Sequence, residues 1–460
     1  MRALRSALAT AAVLAVVVSG CAGGGSNTNG AMAAVAADPA LTADPATTSV
    51  ELSVPQANAT PPFDAPHDVQ VPVGWNASVW ARIANARYEV WTPAGDLLVS
   101  QPNDGTVSLL SPGSDPSAVP QQRVLLAGLT QPQGLAFDTW HGQRVLYVIE
   151  SDRLDRYPWS AAGPGTRTTV VDHLPDLEPG GDDVHRLKSI VVGPDHTLYL
   201  PLPSSTNAGP ADQQMNPPRG TVATVDPDTG KLRIFARGIR NGEGLAFAPD
   251  GSLWVAVNNR DNIAYPFHRA YGGQPDAFGK VITGYVTDHP PEEVARLTPG
   301  RDLGWPTCNP DPDVDPGVAG TALDETDPPY TPDAQNNPDG KVRSCTGLTP
   351  IERGIPAHSA PLGLHFLPAG TLGTDRGEGA VLALHGSWNA QPPRAPAVVW
   401  MPWDATGKTL GAPQTILGGF QDAKGDRWGR PVDNVIGPDG ALYVSDDNSG
   451  AIYRLTPKTK

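Results

Sequence analysis

The feature that most constrains this chain is a hairpin template that returns along most of its length. In its clearest copy, the apolar runs Leu245 to Phe247 and Leu253 to Val257 flank Ala248-Pro249-Asp250-Gly251, where Pro and Asp suit the early turn positions and Gly a positive φ. Related hairpins run over Glu89 to Leu110, Gly134 to Tyr157, Ile190 to Leu202, Leu362 to Trp388 and Val432 to Leu455. Six such copies predict an all-β chain folded as a six-bladed β-propeller, with four-stranded blades whose inner strands line a central channel. Extended residues Ala77 to Ile83 are expected to close the last blade. A β-sandwich is the alternative. The 50 Gly and 50 Pro fit many short strands joined by turns.

The longest interval between copies, residues 264–356, is expected to be one Pro-rich, lid-like insertion. It holds Cys308 and Cys345, an even pair expected to form a disulfide in an oxidising compartment. Asp311, Asp313 and Asp315 alternate as in a calcium loop. Pro316 stands where such a loop needs Gly and no glutamate follows at the twelfth position, so the run is read as solvated and not as a metal site.

Ahead of the propeller, Arg2 and Arg5 precede the apolar run Leu8 to Val18, and Val18-Ser19-Gly20-Cys21 resembles a bacterial lipobox. Residues 1–21 are therefore expected to be a lipoprotein signal peptide with lipidated Cys21, anchoring the protein to the extracytoplasmic side of the cell membrane. Residues 22–68 are expected to be a flexible linker, rich in small and polar residues. That leaves 69–460 as a single propeller domain. The net charge of −15 disfavours nucleic acid as a partner and makes any cluster of arginines notable.

No GxSxG, HExxH, Walker or CxxC motif is present. The chemistry must come from polar residues at the ends of hairpin strands, where propeller loops meet on one face. These are His185, Arg240, Asn241, Asn258 to Asp261, His358, His385 to Asn389, Arg427 and Arg430.

The combination of GIRNGEGLAFAPDG, VNNRD, AHSAPLGLHF, LHGSWN and RWGRPVDNVIGPDGALYVSDDNSGAIYR resembles the pyrroloquinoline quinone (PQQ)-dependent soluble sugar dehydrogenases, in particular their sorbosone dehydrogenase-like branch. The resemblance implies an oxidoreductase that oxidises an aldose or related sugar with PQQ as hydride acceptor. It implies His185 as general base and Arg240 as a catalytic cation at the quinone. It also implies cofactor contacts from Arg240, Asn241, His358, Arg427 and Arg430, and Ca2+ held by the backbone carbonyls of Asn259 and Arg260. A sugar substrate and an electron acceptor would be the partners. The sequence departs from the family pattern at Gly242, Glu243 and Ala390. Glu243 is expected to bring negative charge toward the cofactor, and Arg394 to stand in for a basic residue missing at 390. A non-catalytic sugar- or protein-binding propeller lipoprotein and a calcium-dependent lactonase remain as alternatives.

Overall fold

The computed structural model describes residues 47–176, 185–373 and 376–457. Cys21 lies outside them. Six antiparallel sheets follow one another along the chain and form the six-bladed propeller that the hairpin repeats predict. Blade 1 comprises Glu89–Trp91, Leu97–Gln101, Thr106–Ser111 and Gln121–Ala127. Blade 2 comprises Leu135–Trp140, Gln143–Ile149 and Leu154–Ser160, the last paired with both Gly163–Pro164 and Thr168–Val171. Blade 3 is Val191–Val192, Leu198–Leu202, Thr221–Val225 and Leu232–Arg237, and blade 4 is Asn241–Phe247, Leu253–Asn258, Glu292–Leu297 and Arg353–Ile355. Blade 5 comprises Pro361–Leu367, Gly379–Leu384 and Ala397–Asp404, the last paired with Thr409–Leu410 and Gln414–Leu417. Blade 6 is Pro431–Ile436, Leu442–Asp446, Ala451–Pro457 and, from the other end of the chain, Trp75–Arg82.

The turns behave as their residues dictate. Gly95, Gly251, Gly370 and Gly440 occupy one template position and take φ of 88°, 80°, 80° and 76°. In the third copy His196 stands there with φ 64°, a left-handed conformation that a non-glycine residue adopts at some cost.

Strand alternation makes the core. Successive residues of a strand point to opposite faces, and here each face meets a different neighbouring blade. Leu97 and Val99 pack with Tyr443 and Ile452 of blade 6, whereas Leu98 packs with Leu146 and Val148 of blade 2. Likewise Leu253, Val255 and Val257 join blade 3, and Trp254 and Ala256 join blade 5. Strands buried on both sides read as continuous apolar runs, which is why the template is legible. The first strands of all six blades line one cavity of about 360 Å³ along the axis. Where they crowd, side chains are excluded: a Cβ on Gly244 would stand 2.3 Å from the Leu362 carbonyl oxygen.

Two expectations need correction. Residues 47–68 are not a featureless linker, because Thr47–Glu51 pairs with Asp68–Pro72 and Leu52 and Phe63 are buried against blades 5 and 6. Phe63 meets Tyr453 and Trp428 edge-on, 6.2 and 6.0 Å between centroids, with the Arg82 guanidinium 4.8 Å from its ring. Phe63→Ala is expected to cost about 3–5 kcal/mol, as for other fully buried aromatics. Denaturant unfolding of the variant and parent measures it, and a loss below about 1 kcal/mol would return this segment to the role of a linker.

The second correction concerns 264–356. It is not one insertion, because the third and fourth strands of blade 4 lie inside it, leaving two excursions over 259–291 and 298–352. Glu292-Glu293 opens the third strand and looks solvent-exposed in sequence, yet both residues are buried, at 1% and 2% exposure. The expected disulfide is present in the second excursion, with the Cys308 and Cys345 Cα atoms 5.8 Å apart. Asp311 and Asp313 are not solvated either. Both are buried, and only Asp315 is exposed.

Candidate functional site

In an antiparallel hairpin the start of the first strand and the end of the second lie side by side. Every candidate residue sits at one of those two places or on the loops joining them, so all belong to the same end of the channel.

At the mouth of the channel, blades distant in sequence share one buried polar network. Arg87, ahead of blade 1, donates to Glu243 Oε2 and Asp447 Oδ2, both at 2.8 Å, and to Gln133 Oε1 at 3.0 Å. Gln133 Nε2 donates in turn to Glu243 Oε2 at 2.9 Å, and Asn241 Nδ2 reaches Glu243 Oε1 at 3.2 Å. His385 Nε2 lies 2.9 Å from Asp447 Oδ1. Burial alone would push the Asp447 carboxyl up, but the His385 hydrogen bond and the Arg87 charge outweigh it and hold the group far below the usual carboxylate range. Burial pulls His385 down, favouring a neutral ring that donates to that carboxylate. Glu243 is therefore engaged by Arg87 and Gln133, and its expected approach to an anionic cofactor is answered by an internal counter-charge.

His185 is anchored through Nδ1, 3.0 Å from both the carbonyl oxygen and the hydroxyl of Ser204. The Ser204 hydroxyl donates to the Thr206 carbonyl at 2.8 Å. Nδ1 must then carry the proton, which leaves Nε2 as the basic nitrogen. Burial and the nearby Arg240 charge push the imidazole down to about 3, so it is neutral throughout the ordinary pH range. Arg219, fully buried, donates to the His185 carbonyl at 3.1 Å and fixes this loop.

Arg240 is clamped by Asn207, through its carbonyl at 3.0 Å and Oδ1 at 2.9 Å, and by the Asn258 carbonyl at 3.1 Å. Burial lowers it to about 10, against the pull of Asp261 and Glu292, and it remains a cation at neutral pH. Asp261 Oδ2 lies 3.6 Å from Arg240, while Asp261 Oδ1 accepts from Asn389 at 3.0 Å and lies 3.6 Å from His358 Nδ1. His358 adopts φ 64°, is 4% exposed, and directs Nε2 at the Val286 carbonyl, 2.7 Å away. It is packed behind Asp261, as a brace for that carboxylate.

Arg427 and Arg430 approach from the opposite side and cradle the loop after blade 5's second strand. Arg427 donates to the carbonyls of Ser387 and Arg394 at 2.7 and 3.0 Å, and Arg430 to those of His385 and Gly386 at 2.9 and 2.8 Å. Neither makes an ion pair within 4 Å among the described residues, and burial lowers the pKa of each. The Arg394 guanidinium contacts the Ala357 and Thr287 carbonyls and Asp288, and it is its backbone carbonyl that touches Arg427. Between these loops and the short helix Thr283–Val286 lies a cleft of about 220 Å³, edged by Trp388, which is 66% exposed.

The Asn259 and Arg260 side chains turn into the fold. Asn259 Nδ2 donates to the Pro291 carbonyl and to Glu293, at 3.1 and 3.0 Å, and the Arg260 guanidinium binds Asp333 and Gln335. No hydrogen bond to their own backbone carbonyls is made among the described residues. Sequence reasoning missed Arg87, Gln133, Asn207, Arg219 and Asp447, whose placement emerges only when blades far apart in the chain are brought together.

Fold and site together define a class: a six-bladed propeller presenting, at one channel mouth, a neutral, oriented histidine and two arginines with no ion pair among the described residues. The chain belongs to the TrAA12-like family, whose pattern matches residues 69–458. It is 24% identical over 409 residues to the pyrroloquinoline quinone-dependent pyranose dehydrogenase of Coprinopsis cinerea, covering 72% of this chain and 52% of that one. It is 26% identical over 253 residues to an uncharacterised protein of Borreliella burgdorferi, covering 54% and 56%. The chain thus spans about half the length of the curated relatives it matches. Among solved structures, the holo PQQ domain of the C. cinerea pyranose dehydrogenase superposes with a TM-score of 0.67 at 20% identity, over 88% of this chain and 98% of that one. The PQQ-bound aldose sugar dehydrogenase of Streptomyces coelicolor gives 0.51 at 16% identity, over 84% and 99%. Both share the fold.

Proposed function

We propose that this protein is a PQQ-dependent dehydrogenase of an aldose or other pyranose. The observation that carries the reading is that one end of a TrAA12-like propeller carries both Arg427 and Arg430, which make no ion pair within 4 Å among the described residues, and a neutral His185. Planar guanidinium groups suit the carboxylates of a rigid aromatic tricarboxylate. The residues present fit such a group: among the described residues, Asn241 Oδ1 is buried without a hydrogen-bond partner and the Asn259 and Arg260 carbonyls accept no hydrogen bond, which leaves them available to Ca2+.

When bound, PQQ supplies the two-electron acceptor, and the chain supplies position and proton handling. His185 Nε2 takes the hydroxyl proton of the sugar, while Ser204 holds the ring by Nδ1. Arg240 provides fixed positive charge where an oxygen becomes negative, held in place by Asn207 so that little reorganisation is needed. Trp388 offers an exposed aromatic face beside the cleft, suited to the apolar face of a pyranose ring. Sorbosone-type specificity is the narrower form of this reading. Export and lipid anchoring at Cys21 complete it, in keeping with the disulfide.

The test is a titration of apo-protein with PQQ and Ca2+, followed by absorbance, and then sugar-dependent reduction of an artificial electron acceptor. Saturable PQQ binding with turnover is expected. Absence of binding at micromolar PQQ overturns the proposal, and glycan binding or lactone hydrolysis without redox turnover would put one of the two alternative functions in its place.

A further inference from the structure

We propose that His289, Asp311 and Asp313 form a second metal site, separate from the cofactor pocket, for a divalent first-row transition cation of the zinc type. The three residues join the two excursions of blade 4, and their ligand atoms lie within 4.8 Å of one another. His289 Nε2 is 3.1 Å from Asp313 Oδ1 and 3.6 Å from Asp311 Oδ1. Zinc–ligand bonds of about 2.0–2.1 Å at a tetrahedral angle would set such atoms about 3.3 Å apart. The two observed separations bracket that value.

Electrostatics points the same way. His289 Nδ1 lies 2.9 Å from the Tyr285 carbonyl and donates to it, so Nε2 faces the two carboxylates. Exposure of the three side chains is only 3–4%. A lone pair and two carboxylates cannot face one another in a dry site without a cation. A proton on Nε2 compensates one of the two charges; a divalent ion compensates both. The carboxylates are already ordered, since the second oxygen of Asp313, Oδ2, accepts from Gly317 N at 2.9 Å, and Asp311 Oδ1 itself also accepts from Asp313 N at 3.1 Å. This shell is of the kind that orients metal ligands.

A second observation is independent of the triad. The Tyr285 ring stacks flat on His289, 3.9 Å between centroids at 10°, and its hydroxyl is buried with no hydrogen-bond partner among the described residues. That ring lies against the imidazole of the triad and therefore within the field of its charges. A cation at the triad would reverse the field. The site would also fix the short helix Thr283–Val286, on whose last carbonyl His358 rests.

The probe is Zn2+, added to chelator-treated full-length protein without PQQ and followed by calorimetry in buffers of different ionisation enthalpy. One zinc per chain is expected, with proton release on binding because histidine ligates as the neutral ring. Asp313→Asn, which preserves shape, and His289→Ala should each weaken binding by more than the 10–100-fold typical of a supporting residue. Asp315→Asn should leave it unchanged. An exposed group, His268 with Asp276 and Asp339, provides the control. If His268→Ala removes the zinc and Asp313→Asn does not, or if cooperatively folded protein takes up no zinc, the triad is an ordinary imidazolium ion pair and the proposal is overturned.

Discussion

Replacing His185 by alanine is expected to lower kcat by about 10²–10⁴-fold, the range spanned by general acid–base catalysis, with PQQ affinity within a few-fold of the parent. The split matters, because His185 is held by Ser204 and Arg219 and its loss leaves Arg427 and Arg430 untouched. The pH profile gives a second readout. A base works when deprotonated, and burial beside Arg240 pushes His185 down to about 3, so kcat/KM should show no acid limb at the ordinary imidazole value and should fall only in strongly acidic buffer. A parent-like kcat in the variant would remove His185 from the chemistry. An acid limb near pH 6.5 would show that the imidazole is not desolvated as described.

A large effect on stability is also expected at Arg87, whose guanidinium joins Glu243 and Asp447. Arg87→Met leaves Glu243 and Asp447 buried together without their shared cation. Breaking a buried pair in this way costs about 3–5 kcal/mol, and here two carboxylates lose one partner. Adding Glu243→Gln to that variant should restore part of the loss, since one uncompensated charge is removed. Denaturant unfolding of parent, single and double variants measures both. A cost below about 1 kcal/mol for Arg87→Met would mean that the channel mouth is screened as a surface is.

The fold was legible because a propeller repeats its local chemistry. Apolar runs such as Leu97 to Val99 and Leu253 to Val257, with Gly at a fixed place in the turn, register the blades without any tertiary information. The blade 4 strand Glu292–Leu297 was not legible, because it begins with two glutamates whose burial depends on Asn259 and Ala360. The segment around Phe63 was hidden for a similar reason: its packing partners, Trp428 and Tyr453, lie at the far end of the chain.

The site was legible in part, and a signal for the remainder was present. Aligning the copies on their turns places Arg87, Gln133, Lys188 and Glu243 at one template position in blades 1 to 4, with Leu362 and Val432 in blades 5 and 6. Three of those four polar residues contact one another in the structure. His185 and Arg240 also share a position, three residues earlier. A residue's rank within its blade thus carries its height along the axis. Identity alone could not show that Glu243 meets an arginine from 156 positions away.

The two-sided packing of each strand limits how the chain can change length. Deleting one residue within Leu97–Gln101 would exchange the side chains facing blade 6 with those facing blade 2, spoiling two cores at once. Insertions and deletions are therefore excluded from the strands and confined to the loops between them. His185, Arg240, Arg427, Arg430 and both blade 4 excursions lie on such loops, so lineages of this architecture can remodel what they recognise by adding or trimming sequence while the ring itself stays in frame.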